Sequence, residues 1–208
     1  MRNYNECLLD PAQSVLAIID HQPQMYFGIE SHCRTSVENN VTGLAKAAQL
    51  FGVPCILSTV EAQTFSGYLY CKVQRIYPQI TPIDRTSLNA WEDANFKKAV
   101  EGTKRKKIIL AGLWTEACVL FPALSLKNDG YDVYAVTDAC GGASKEAHDM
   151  AVIRMTQAGV KPVTWMQVML EWQRDWSHKD TYDGALGIIK EHGGAYGLGV
   201  EYVETMLK

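Results

Sequence analysis

Short apolar runs alternate with helical segments along most of the chain, and several of those segments close on a glycine just before the next run. Val15 to Ile19 is apolar without interruption, which suits a strand covered on both faces. Cys55 to Thr59, Lys107 to Ala111, Val133 to Thr137 and Val160 to Thr164 read as further strands, and Ile80 to Ile83 as a short one. Between them, residues 36–52 place Val37, Val41, Leu44, Ala45, Ala48 and Phe51 on one helical face. Ser36 is the expected cap of that helix, and Gly52 with Pro54 its stop. Glu92 to Val100 before Gly102, 116–129 before Gly130, and Lys145 to Ala158 before Gly159 repeat the pattern. Such alternation predicts parallel strands joined by right-handed crossovers. The expected fold is α/β, a three-layer α/β/α sandwich around a six-stranded, mainly parallel, Rossmann-like sheet. Residues 1–208 read as one domain. Trp165 to Trp176 is helical and aromatic-rich, and 179–208, with six glycines, reads as a helical C-terminal appendage.

Composition narrows the function classes. Hydrophobic residues make up 47% of the 208 and charged residues 21%, as in an ordinary globular protein. Twenty basic residues against 23 acidic ones give a net charge of −3, which argues against nucleic acid as a partner. The one dense basic cluster, Lys104 to Lys107, is expected to be a solvated turn before a strand. The longest apolar stretch, Ile108 to Trp114, falls far short of the roughly 20 residues that cross a bilayer, so no membrane association is expected. Residues 1–10 show no apolar signal region. The six cysteines show no CxxC spacing. Together these features suggest a cytoplasmic protein with free thiols.

In an open parallel sheet, ligands bind beyond the carboxyl ends of the strands. The first strand delivers Asp20, His21 and Gln22 there. The short strand delivers Asp84 and Arg85, the central strand delivers Gly112 to Cys118, and the next delivers Asp138. Asp20, Arg85 and Cys118 therefore converge from different strands. If Thr115 caps the following helix, the amides of Glu116, Ala117 and Cys118 have no intrahelical acceptor. Their partial positive charge would lower the Cys118 pKa and could hold an oxyanion. Pro122 has no N–H for the Cys118 carbonyl, so a kink is expected. A buried structural cysteine, a capping Asp20 and a surface Arg85 are the plainer alternatives. His21 reads as structural. The other histidines show no HxH or HxxxH spacing, and there is no GxGxxG, P-loop or GxSxG motif. Neither a metal nor a cofactor is expected.

The runs Leu16 to Gln22 and Ala111 to Cys118 resemble the isochorismatase-like cysteine hydrolases, and within them the YcaC-like branch. Arg85 with Leu88 to Trp91, Phe121 to Ser125, Val136 to Ala139 and Arg154 to Gly159 fit the same pattern. So do Thr164-Trp165 and Arg174 to Trp176. The resemblance covers about residues 10–178 and implies the isochorismatase-like hydrolase fold. It also implies an Asp–Lys–Cys triad. Asp20 and Cys118 match that triad directly, whereas the lysine position holds Arg85. The resemblance further implies a non-proline cis peptide, here Leu113–Trp114. It would aim the Trp114 amide, with that of Cys118, at a substrate oxyanion. Nicotinamidases of the superfamily bind metal through an Asp and two histidines after the second strand; Thr59 to Thr64 contains no histidine. The resemblance implies a homo-oligomer, with an octamer usual in this branch.

The expected function is a metal-independent cysteine hydrolase cleaving an amide-like bond of a small molecule through a thioester. Asp20 would be the base, Cys118 the nucleophile, and Arg85 the charge that keeps Asp20 ionised and lowers the thiol pKa. Gln22, Trp91, Trp114 and Phe121 are pocket candidates, and the three aromatics could equally serve the core or a subunit interface. The alternative is a catalytically silent oligomeric or thiol-sensing protein on the same fold.

Overall fold

Six strands form one sheet in the order β3-β2-β1-β4-β5-β6, with every pairing parallel. They are β1 (Ser14–Ile19), β2 (Cys55–Val60), β3 (Ile83–Arg85), β4 (Lys107–Gly112), β5 (Asp132–Val136) and β6 (Lys161–Val163). The computed structural model describes residues 7–207; the reading of residues 1–10 as lacking a signal region falls for residues 1–6 outside the described residues. The helices are α1 (Pro23–Phe27), α2 (Arg34–Leu50), α3 (Cys71–Ile76), α4 (Ala94–Gly102), α5 (Leu120–Asn128), α6 (Lys145–Gln157), α7 (Trp165–Gln173), α8 (Lys179–His192) and α9 (Ala195–Met206). Among the described residues, no helix is long and apolar enough to cross a membrane.

Strand periodicity divides the core into two layers. Val15, Ala17 and Ile19 of β1, with Ile108 and Leu110 of β4, face Phe96 of α4, Leu126 of α5 and Met155 of α6. Leu16, Ile18, Ile109 and Ala111 face the other way, onto Leu44 of α2, Met169 and Trp172 of α7, and Ile189 of α8. Side chains alternate across a strand, so an unbroken apolar run fills both layers at once. This is the three-layer sandwich that the alternation predicts.

Local differences have identifiable causes. Gly52, Gly130 and Gly159 take φ of +64°, +84° and +83°, as expected of glycines that end helices. After Gly102 it is Lys104 that takes the left-handed conformation. Helix α2 begins two residues earlier than expected, at Arg34, with Cys33 in the cap position; Ser36 lies inside the helix and does not cap it. The short strand is Ile83–Arg85, not Ile80 to Ile83, so Asp84 and Arg85 sit within it. The basic cluster is only partly solvated: Lys107 is buried, with its ammonium on the Leu8 carbonyl, and Arg105 donates to the Pro11 carbonyl at 2.8 Å.

Candidate active site

The strand order reverses its winding between β1 and β4, which is where a crevice opens in a doubly wound sheet. Asp20 leaves β1 there with φ +57°, a left-handed conformation uncommon for a non-glycine residue. Its amide still reaches across to the Ser58 carbonyl at 2.9 Å. Arg85 extends from the edge strand over the end of β2. Its Nη1 donates to Asp20 Oδ1 at 2.7 Å, the Thr59 carbonyl at 2.9 Å and Ser58 Oγ at 3.2 Å; Nη2 donates to Asp20 Oδ2 at 2.8 Å. Both side chains are wholly buried. A bidentate pair of this kind requires an ionised carboxylate and matches the planar fork of arginine.

Cys118 follows β4 and is 2% exposed. Asp20 is within hydrogen-bonding reach of its thiol, and the Trp114 backbone amide is directed at the sulfur. Burial pushes the thiol up to about 12; the negative charge of Asp20 adds to this and Arg85 opposes it. The expectation of a lowered Cys118 pKa is therefore corrected. Arg85 already holds Asp20, so its charge is largely spent there. Burial raises the Asp20 pKa above its ordinary value while Arg85 pulls it down. That combination makes Asp20 a stronger base than a surface carboxylate and still leaves it charged in the pair. Burial alone disfavours the Arg85 charge, and the pairing with Asp20 more than restores it.

The Leu113–Trp114 peptide is cis. Instead of one α-helix over 116–129, a wide turn runs from Thr115 to Val119 and α5 follows. The Trp114 carbonyl accepts from both the Ala117 and Val119 amides, at 3.1 and 3.3 Å. Ala117 thus has no free amide, contrary to expectation. Pro122 cannot donate to the Cys118 carbonyl, and the widened turn lies just ahead of it. Thr115 does not cap through its side chain; its hydroxyl pairs with His148 Nδ1 at 2.8 Å, and its amide donates to the Gly141 carbonyl at 2.9 Å.

The remaining candidates separate. Gln22 is buried with its side-chain amide fully engaged. Nε2 donates to the Val60 and Gly67 carbonyls at 3.0 and 2.5 Å, and Oε1 accepts from the Val60 amide at 2.9 Å. It fixes the segment after β2 and offers nothing to a ligand. Trp91 is core: its indole donates to Asp129 at 2.9 Å and its ring meets Tyr131 edge-on. Trp114 is half-buried, its indole N–H on the Met25 carbonyl at 3.1 Å. Phe121 is partly exposed on α5. His21 is structural, buried with Nδ1 at 2.8 Å from the Tyr26 hydroxyl; burial lowers its pKa to about 3. Asp138 accepts from the Trp165 amide at 2.9 Å and so starts α7. Among the described residues, no three His, Cys, Asp or Glu side chains are grouped to hold a metal ion.

Sequence reasoning missed the support behind the cis peptide. Gly141 pairs with Leu113, and Glu116 Oε1 accepts from the Ala143 amide at 2.9 Å. A Cβ on Gly141 would meet Ile29 at 2.9 Å, and one on Gly142 would meet Glu116 at 2.7 Å. The Gly-Gly step just after β5 is the signal that marks this close approach. Sequence reasoning also missed Cys33. It is exposed at the start of α2, and hydrogen bonds from the Thr35 hydroxyl and the Ser36 and Thr35 amides lower its pKa to about 7. Iodoacetate at pH 7 is therefore expected to modify Cys33 at least ~10-fold faster than Cys118, read by peptide mass mapping. Faster modification of Cys118 would contradict the buried, protonated thiol.

The sequence and the fold have counterparts among known proteins. The isochorismatase domain family matches residues 14–167. A probable hydrolase, YcaC, of Escherichia coli K12 is 34% identical over 185 residues, covering 88% of each chain. The structure of that organism's YcaC, described as an octameric hydrolase of unknown specificity, superposes with a TM-score of 0.92 at 32% identity. It covers 98% of this chain and 100% of its own. YcaC from Pseudomonas aeruginosa, solved with hexane-2,5-diol and covalent acrylamide, gives 0.91 at 33% identity, covering 97% and 100%. The chain belongs to the isochorismatase family of hydrolases, in its YcaC-like branch.

Proposed function

We propose that this hydrolase cleaves an amide-like bond of a small molecule, without a metal, through a Cys118 thioester. The observation that carries the reading is the buried Asp20 carboxylate, clamped on both oxygens by Arg85 and within reach of the Cys118 thiol. With the thiol neutral at rest, Asp20 takes its proton as Sγ attacks the carbonyl carbon. The oxyanion is held by the amides of Trp114 and Cys118. Collapse breaks the C–N bond, and the proton on Asp20 passes to the departing nitrogen. Water then attacks the thioester, giving one proton to Asp20; the carboxylic acid leaves, and Asp20 returns the proton to the thiolate. The covalent acrylamide of the Pseudomonas relative supports the reading, because acrylamide is an electrophile that thiols add to. Free thiols at Cys33, Cys55, Cys71, Cys118 and Cys140 fit a cytoplasmic setting.

The test is a screen of small amides and esters against wild type and Cys118→Ala. Intact-mass detection of an acyl-enzyme in the wild type alone is the expected result. Turnover that persists in Cys118→Ala would refute the reading. The pH dependence is a second check. kcat/KM is expected to fall on the acid side through an Asp20 pKa that burial lifts above the usual carboxylate value. No rise is expected at a free-thiol value of ~8.5, because the thiol, pushed up to about 12, loses its proton to Asp20 only during attack. A rise centred there would replace Asp20-assisted attack with a preformed thiolate.

We also read the chain as assembling with copies of itself, up to the octamer described for the Escherichia coli relative. Helix α9 supports this: Leu198, Tyr202 and Met206 form an exposed apolar stripe at helical spacing.

A further inference from the structure

A groove of about 580 Å³ runs along α2, on the side of the sheet opposite α5. Thr35, Glu38, Thr42 and Lys46 line it from one face of α2, spaced three and four residues apart. Lys72 and Arg75 of α3, and Glu191 with His192 at the end of α8, line it as well. Cys33, the exposed cap residue of α2, stands at its head, with Sγ 3.1 Å from the Thr35 hydroxyl.

Two groups in the groove are unsatisfied. Lys72 is paired with Glu38, and Lys46 with Glu191 at 2.5 Å, whereas the exposed Arg75 guanidinium has no ion pair among the described residues. His192 is the second. Its side chain is only 8% exposed. The Asn39 amide nitrogen donates to the His192 carbonyl at 2.9 Å, so Asn39 Oδ1 must accept from His192 Nδ1 at 3.0 Å. Burial lowers the His192 pKa, and the neutral ring is left with Nε2 as an acceptor that has no donor. Glu191 Oε1, 3.4 Å away, cannot supply one.

A ligand that completes the groove brings a carboxylate for Arg75 and a donor for His192. Three cationic side chains face two carboxylates there, so its net charge is negative. Asn39, which holds His192, is six residues beyond Cys33, about 9 Å along the helix axis. Two extended peptide residues reach about 7 Å, and a γ-glutamyl link lengthens that arm. We infer that the groove binds the tripeptide thiol glutathione, and that Cys33 forms a mixed disulfide with it. Two carboxylates and one ammonium give glutathione the sign and the donor that the groove lacks. The step consumes oxidised glutathione. The Cys33 thiolate attacks one of its sulfurs, the glutathione S–S bond breaks as the new S–S bond forms, and the departing thiolate takes a proton from water. Cys33 is oxidised and the departing half is reduced. Attack is fastest from a thiol whose pKa lies near the ambient pH, a condition that the Thr35 and Ser36 hydrogen bonds provide. Nothing in this inference depends on the role of Cys118.

The test treats the full chain with millimolar oxidised glutathione at pH 7 and follows the reaction by intact mass and peptide mapping. Hydroxyethyl disulfide, which has the same reactive bond and no charge, is run in parallel. One glutathione on Cys33 is the expected product. Arg75→Glu is expected to slow its formation ~10-fold and to leave the hydroxyethyl disulfide rate unchanged. Arg75→Ala, a milder change on an exposed helix position, is expected to slow it less in the same sense and covers the case that the charge reversal disturbs the fold. Glutathione on Cys71, or on any other cysteine, ahead of Cys33 would overturn the assignment of the thiol. Glutathione and hydroxyethyl disulfide rates that both hold, or that fall together, in both variants would overturn the groove as the recognition element.

Discussion

Cys118→Ser is expected to lose turnover by ~10⁴-fold or more on any amide that the wild type hydrolyses, while the protein stays folded. The scale is that of removing the nucleophile from a unit whose members act together. Serine is close in shape, and its hydroxyl can donate to Asp20 as the thiol does, so the exchange strands no buried group. The stability cost should stay within about 1–2 kcal/mol, the range for one altered hydrogen bond in a packed site. Serine fails for a chemical reason. Its proton is harder to remove than that of a thiol, and Asp20, although burial makes it a stronger base than a surface carboxylate, is still too weak a base to make up the difference. Steady-state kinetics with a thermal melt on the same preparation checks both halves. Turnover within tenfold of wild type would mean that Cys118 is not the attacking group. A protein that melts far below wild type would mean that the sulfur matters mainly for packing.

Much of this architecture can be read from the residues, because it depends on periodicity. Val15 to Ile19 could only be a central strand, since each of its residues is buried and successive ones serve opposite core layers. The convergence of Asp20 and Cys118 follows from both standing beyond carboxyl ends of parallel strands, and β1 and β4 prove to be neighbours in the sheet. What the sequence hides is how charge is shared once three groups meet. Local reasoning assigned Arg85 to both Asp20 and the thiol. The geometry gives both arms of the guanidinium to Asp20, and the thiol is left to burial. Long-range hydrogen bonds were equally out of view. Gln22 looks like a pocket residue because it follows a strand end, yet its amide binds Val60 and Gly67, 38 and 45 residues away. The widened turn before α5 was half visible: Pro122 signalled an irregular helix, but not that the Trp114 carbonyl would take two donors.

Arg85→Met is expected to lower turnover by ~10²-fold and to destabilise the fold by ~3–5 kcal/mol, whereas Arg85→Lys should keep much of both. The stability figure is that of removing one partner from a buried ion pair and leaving the other charge uncompensated. The rate figure comes from the lost attraction. A charge pair at ~4 Å in an effective dielectric of ~20 is worth ~4 kcal/mol, and a realised ~2.7 kcal/mol is a hundredfold in rate. Without the guanidinium, burial alone governs Asp20 and pushes its pKa further up. The carboxyl then becomes protonated toward neutral pH and cannot accept the thiol proton. The sign of the linkage follows. A carboxyl whose folded pKa exceeds its unfolded value binds its proton more tightly when folded, so stability falls as pH rises through that interval. Arg85→Met should therefore melt closest to wild type near pH 5 and furthest below it near pH 8. Lysine supplies the charge, but a single ammonium cannot bind both carboxylate oxygens together with Ser58 and Thr59. A partial loss is expected for it. Unchanged turnover and unchanged melting in Arg85→Met would make Arg85 a bystander. If Arg85→Lys proves as inactive as Arg85→Met while folding normally, the charge is not what matters. The two-armed grip that fixes the Asp20 carboxylate toward Cys118 would then be the contribution of the arginine.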